Sequence, residues 1–340
     1  MPTLDIFNSD AFSVTNLTDA FNKVDHVPGR AGELVFSGAG RGVSTTTVAV
    51  EEHDTVLTLL ATSARGAPSA QHTTQKRKLR NLTIPHIEYE DTIPADEIQN
   101  VRAFGSESEV QTVQSVVNGR LMEMALNHDL TLENLRLGAL QGQVLDSDGS
   151  TLVDLFTTFG VTQASEINFA LSTSATDVRG KCHQVIRQMK RAIKAPWPST
   201  AMVWCFCDDD FFDALLAHAN VKGVWDGYAS AERKLGDSYA FGIFEFGGIF
   251  FENYQGTDDN STVKVTTDKA KFFPVGVPGV FREYYAPADF MEAVNTIGLP
   301  RYAKQVPDPS GLNKHVKLHT QQNPLPICTR PLALQRAKRA

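Results

Sequence analysis

The chain has 340 residues, 42% hydrophobic and 21% charged, with a formal net charge of −7. Those values suit a soluble globular protein of one large or two smaller domains. The longest apolar runs, Ala201–Cys207 and Phe241–Phe251, are too short or too broken to span a membrane, and the N-terminus lacks the basic and apolar regions of a secretory signal, so synthesis in the cytoplasm is expected.

In chain order, DAFSVTNLTDAFNKV predicts a short amphipathic helix with Phe12, Leu17, Phe21 and Val24 on one face. VPGRAGELVFSGAGRGVS, with five glycines, reads as a loop-rich extended arm. TTTVAVEEHDTVLTLLAT has the Thr and Val content of strands. ATSARGAPSAQHTTQKRKLR follows, polar and unable to pack a core of its own. LRNLTIPHIEYEDTIPADE is again extended, punctuated by Pro85 and Pro94. From Ser106 to Val144 the period changes: Val110, Val113, Val117, Leu121, Met124, His128, Leu132 and Leu135 recur at helical intervals. A helix of that length spans roughly 50 Å, a strut rather than an ordinary helix. DSDG then marks a hairpin turn. A helix is expected over Asp177–Ile193, a buried strand over Ala201–Phe206 and a second helix over Phe211–Val221. FGIFEFGGIFFENYQG reads as a strand pair broken at Gly-Gly, and the remainder as extended segments divided by prolines.

The charge is segregated. Residues 61–80 hold five Lys or Arg and no acid, residues 81–133 hold ten acids and two Arg, and the chain from Pro309 onward holds six Lys or Arg and no acid. Such a protein binds nucleic acid or copies of itself. A nucleic-acid module built on the basic loop would lack aromatic side chains to stack on bases. A metal-dependent α/β enzyme would use Cys205, Cys207, Asp208, Asp209 and Asp210, which follow an apolar strand. The plainer reading has one Asp capping the next helix and the others favouring its positive end. A second cysteine pair with zinc-like spacing is missing, so Cys182, Cys205, Cys207 and Cys328 are expected as buried thiols. The nine histidines are scattered with no H-E-x-x-H, and no Walker loop occurs. No catalytic residue, metal or cofactor is expected.

The order of motifs carries more. LRLGALQGQVLDSDGSTLVDL, STAMVWCFCDDDFFDALLAHANVK, FGGIFFENYQG, FPVGVPGVFREYYAPADFMEAVNTIGLPRYAK and QQNPLPICTRPLALQRAK together resemble the lambda-type major head protein family of tailed phages. The resemblance implies an α+β Hong Kong 97-type capsid fold. It implies an N-terminal arm (1–45), an E-loop hairpin with flanking strands (46–92), a peripheral domain with a spine helix (93–174), an axial domain (175–305) and a returning peripheral strand with a tail (306–340). The implied function is a structural, non-enzymatic protein of the virion, assembling as hexamers and pentamers of an icosahedral shell around double-stranded DNA, without sequence-specific binding. Because the arm begins too early for a built-in scaffold, the resemblance implies a separate scaffolding protein, or none; a portal and a decoration protein are the other implied partners. In this fold the E-loop lies on a neighbouring subunit, which explains a loop with no core of its own. Arg65, Lys76, Arg77, Lys78 and Arg80 would then meet Glu88, Glu90, Asp91, Glu107 and Glu109 across an interface. Asp226–Ser238 and Asn253–Lys264 are candidate loops around the ring axis, with Asp258 and Asp259 as the crowded charges.

Overall fold

The computed structural model describes residues 29–52, 78–100, 109–193, 197–224, 242–254, 263–312 and 314–340. The chain order begins with a π-helical turn, Gly32–Phe36, followed by β1 (Gly40–Gly42), β2 (Thr47–Glu52), β3 (Lys78–Thr83), β4 (Ile87–Pro94), α1 (Ala95–Asn100) and α2 (Glu109–Gln141). It continues through β5 (Gln143–Leu145), β6 (Thr151–Asp154), α3 (Leu155–Phe159), β7 (Ile167–Asn168), α4 (Val178–Ile193), β8 (Met202–Cys207) and α5 (Asp209–Ala217). Strands β9 (Ile243–Phe246), β10 (Ile249–Asn253), β11 (Lys269–Val275), β12 (Phe281–Tyr285), β13 (Tyr302–Pro307), β14 (His315–Gln322), β15 (Pro324–Cys328) and β16 (Gln335–Lys338) complete it. No described helix is long and apolar enough to cross a membrane. The expected N-terminal helix lies outside the described residues.

The strut is one helix. Its expected seam is buried at Val117, Leu121, Met124, His128, Leu132 and Leu135. The first half rests on a three-stranded sheet of order β13-β14-β4, through Ile93, Ala303 and Leu318. The second half departs from the narrow stripe expected: Glu133, Arg136, Leu137, Ala139 and Leu140 are buried as well. The helix enters the main core there, among Val144 and Val153 of the adjoining hairpin, Phe159 of α3, and Phe206 and Phe273 of a larger sheet. Gly138 makes the approach possible, because a Cβ at that position would stand 2.7 Å from the Gln143 carbonyl and 3.0 Å from Val144 Cα.

That larger sheet has the order β7-β16-β11-β8-β10-β9. Strand β8 runs parallel to β10 and antiparallel to β11. Being central, it is covered on both faces, which is why MVWCFC reads as an unbroken apolar run. Val203, Cys205 and Cys207 face one cluster with Cys182, Val185 and Met189 of α4 and Phe211 and Leu215 of α5. Trp204 and Phe206 face the other, toward the end of α2. The Gly-Gly break between β9 and β10 is a tight turn with positive φ at both residues, 62° and 81°, the backbone that suits the twist of a two-residue hairpin. The closing segments divide between sheets: β14 pairs with β4, β15 with β12, and β16 with β11 and β7.

The arm is not simply extended. Its turn at Gly32–Phe36 forms because Glu133 of α2 accepts the amide hydrogens of Ala31 (2.7 Å) and Gly32 (3.2 Å), and because Phe36 packs edge-on to Phe281. Beyond it, β1 adds to β12 in parallel.

Candidate assembly interface

Three regions are candidates for contact between copies: the base of the β2–β3 hairpin, the acidic strand β4, and the solvent face of α2. The hairpin pairs Thr47 with Thr83 and Glu52 with Lys78. Its base is anchored at home by Val48, Val50 and Leu82 in the main core. Lys78 and Leu79 are exposed, Leu79 at 66%. Arg80 is held within its own chain. Its guanidinium donates to the carbonyls of Thr158 and Phe159 (2.8 Å to the latter), at the C-terminal end of α3, and lies over the Phe159 ring. A cation there also suits the negative end of a helix. Arg65, Lys76 and Arg77 lie outside the described residues.

On β4, each expected acid has a partner on its own chain. Glu88 lies 2.7 Å from His86 Nε2 and accepts from the Gln321 amide (3.0 Å), and its carboxyl is held below the usual range, chiefly by the contact with His86. Glu90 accepts from His319 at 2.9 Å. Asp91 lies 3.5 Å from Arg120, whose guanidinium also binds Glu97 at 2.7 Å. These pairs are partly exposed and worth about 0–1 kcal/mol each, but they blunt the acidity of the strand. Glu107 is outside the described residues, as is the side chain of Glu109. Asp258 and Asp259 are outside them too.

On α2, Met122, Leu126 and Leu130 are exposed at 51%, 41% and 39%. Their four-residue spacing places them in one row, on the side away from the β13-β14-β4 sheet. A row of apolar side chains on the solvent face of a long helix is a candidate contact surface. The periodicity that found the buried seam did not single it out.

Under these surfaces a buried polar brace ties arm, helix and sheet together. Glu133 accepts from two arm amides and from the Tyr254 hydroxyl (3.0 Å), and burial and that carboxylate push the Tyr254 pKa up. Arg136 makes a two-pronged pair with Glu283 of β12 at 3.1 and 2.9 Å. Arg30 binds Glu252 at 2.6 Å, and the Trp204 indole donates to the same carboxylate at 2.6 Å. Asp129 pairs with Arg301, whose pKa burial lowers to about 10.

The Cys205–Asp210 cluster is structural in its geometry. All four cysteines are buried and free; burial lifts the Cys182 and Cys328 thiols to about 12 and the Cys205 thiol well above its ordinary value. A thiol in that state is a poor nucleophile and a poor metal ligand. Asp208 occupies the cap position of α5 but makes no side-chain cap bond. Its carboxylate instead accepts the Asp268 amide at 3.1 Å. Asp209 accepts from Asn253 at 2.7 Å.

Comparison with known proteins agrees with this reading. The family model for phage major capsid protein E matches residues 13–339. The chain belongs to that family. It is 26% identical to the major capsid protein of Pseudomonas phage KPP10 over 350 residues, 97% of each chain. Its backbone is similar to that of the capsid protein of an Escherichia coli CFT073 prophage, with a TM-score of 0.62 at 13% identity, covering 96% of this chain and 99% of the other. The mature capsid of bacteriophage PhiM1 gives a TM-score of 0.51 at 12% identity, covering 90% and 87%. The fold is therefore the Hong Kong 97 capsid fold, and the protein is a phage major capsid protein, a structural component of the virion that assembles with copies of itself. The enzyme reading has no support in these comparisons.

Proposed function

We propose that this chain forms the hexamers and pentamers of an icosahedral phage head, and that the β2–β3 hairpin of one copy lies along the solvent face of α2 in the next. The observation that carries the docking is the row Met122, Leu126 and Leu130, which is exposed on the single subunit. An apolar row of this kind gains about 25 cal/mol for each Å² covered. Exposed ion pairs add little, and Glu90 and Asp91 already have partners. Apolar cover therefore contributes most of the contact, and the basic residues of the loop, Lys78 among them, set its orientation.

The division into arm (1–45), hairpin (46–92), peripheral domain (93–174), axial domain (175–305) and closing segment (306–340) belongs to this proposal. So do assembly in the host cytoplasm with a separate scaffolding protein, and a portal and decoration protein in the finished particle. A net charge of −7 suits a wall that encloses DNA without adhering to it. The test is the double variant Leu126→Asp, Leu130→Asp. The subunit should stay folded, because both side chains are exposed, and electron microscopy should find no closed shells. Shells of normal size from the double variant would remove the docking proposal.

A further inference from the structure

Two buried side-chain amides fix the protonation of a surface cluster. Gln321 is 1% exposed and Asn323 is 3% exposed. The Gln321 oxygen accepts the Asp289 amide hydrogen at 2.9 Å, so its nitrogen is the group that donates to Glu88 (3.0 Å) and to His319 Nε2 (2.9 Å). His319 therefore carries its hydrogen on Nδ1 and donates it to Glu90. Likewise the Asn323 nitrogen donates to the Pro287 carbonyl at 2.9 Å, which turns its oxygen toward His86 Nδ1 at 2.8 Å. In the neutral imidazole the hydrogen of His86 must then sit on Nδ1. The lone pair of Nε2 points outward, 2.7 Å from Glu88 Oε1. A lone pair facing a carboxylate is repulsive, so the contact calls for a cation at Nε2: a second proton, which makes the ring an imidazolium, or a metal ion.

Asp289 completes the arrangement. Donor atoms of His86, Glu88 and Asp289 all lie within 4.8 Å of one another, and all three residues are exposed. We propose that His86 Nε2 and the carboxylates of Glu88 and Asp289 form a site for one divalent transition-metal ion, of the class that accepts imidazole together with carboxylate oxygen. A histidine ligand argues against Mg²⁺ and Ca²⁺, which take oxygen donors, and favours Zn²⁺ or a neighbour in the first row. Three protein ligands leave a position for water, reached directly from solvent. The Asn323 carbonyl on Nδ1 is the outer-shell acceptor that a metal-bound histidine requires, and Gln321 orients Glu88 in the same way. The ion would fasten the residue before β4 to the segment after β12, two stretches far apart in sequence.

The full-length protein, stripped with chelator and titrated with Zn²⁺, tests the site by calorimetry. One ion per chain should bind. His86→Ala, Glu88→Gln and Asp289→Asn should each weaken binding by at least about ten-fold, as should Asn323→Leu, which removes the outer-shell acceptor together with the bond to the Pro287 carbonyl. His183→Ala, exposed on α4, should bind as the unaltered protein does. Because the three ligands are exposed, their variants should fold, and circular dichroism checks this. Binding of less than one ion per chain at about ten times the protein concentration, or unchanged affinity in the correctly folded His86→Ala variant, would overturn the proposal.

Discussion

Glu133 shows how much one side chain can hold. It meets three donors in a buried place: two arm amides and the Tyr254 hydroxyl. Glu133→Ala would leave all three unsatisfied, and a cost of about 3 kcal/mol is expected from the penalty for such groups. Urea denaturation would measure it. Glu133→Gln should cost less but not nothing, since its nitrogen would face a donor. His128 makes a second residue-scale prediction. It is buried on α2 beside Thr320, and burial, with a contribution from Arg301, lowers its pKa from 6.5 to about 4. The folded value lies below the unfolded one, so protonation favours unfolding. Stability from the neutral form is complete above about pH 6.5 and is lost as the pH falls toward 4, by about 3 kcal/mol in all. Denaturation curves at pH 7, 5.5 and 4 should show this loss, and His128→Gln should flatten it.

At the scale of elements, α2 is the plainest case of what a sequence reveals and conceals. Its existence follows from one period, and the buried seam from Val117 to Leu135 follows it. The burial of Glu133, Arg136 and Leu137 does not, because those residues are covered by strands more than a hundred positions away or by the arm. The arm itself misled for the same reason: five glycines predict an extended chain, and the acceptor that turns it into a helix is on Glu133. Arg80 was expected to reach a neighbour, but the carbonyls it binds, at the end of α3, cannot be inferred from its own segment. His86 and Asp289 carry no sequence signal at all, since only the fold brings them together. By contrast, β8 and the Gly-Gly hairpin were legible because their signals are local. Gly138 gives a prediction at this scale. Gly138→Ala places a Cβ 2.7 Å from backbone that cannot move without shifting β5, and overpacking of this kind costs about 1–3 kcal/mol. An alanine at Gly119, an exposed position in the first half of α2 where a Cβ meets nothing within 4 Å, should instead stabilise by about 1 kcal/mol. Thermal melts of the two variants should move in opposite directions.

Across the whole molecule, the braces run between parts that are distant in the chain. Arg136–Glu283 joins α2 to β12, Arg30–Glu252 joins the arm to β10, and Asp129–Arg301 joins α2 to the start of β13. Removing one partner of a buried pair leaves the other charge uncompensated, at about 3–5 kcal/mol. Arg136→Met should therefore destabilise the subunit far more than loss of an exposed pair such as Lys304–Glu292, where less than about 1 kcal/mol is at stake. Chemical denaturation of the two variants would rank them.

Strand β16 lies inside the six-stranded sheet, between β7 and β11, and it is translated after every other member of that sheet. Until Gln335–Lys338 leave the ribosome, β11 has an open edge and Ala270 and Phe272 lack the neighbour that covers them. The subunit thus has a built-in order of events in time: its six-stranded sheet closes only after the β2–β3 hairpin, β4 and α2 have been made. A nascent chain cannot offer a finished shape to a growing shell, and a polypeptide released early, before Gln335, exposes an open strand edge that quality control can recognise. Ribosome-bound chains arrested before Gln335 should be cut rapidly by protease within β11, and chains extended past Lys338 and clear of the exit tunnel should resist.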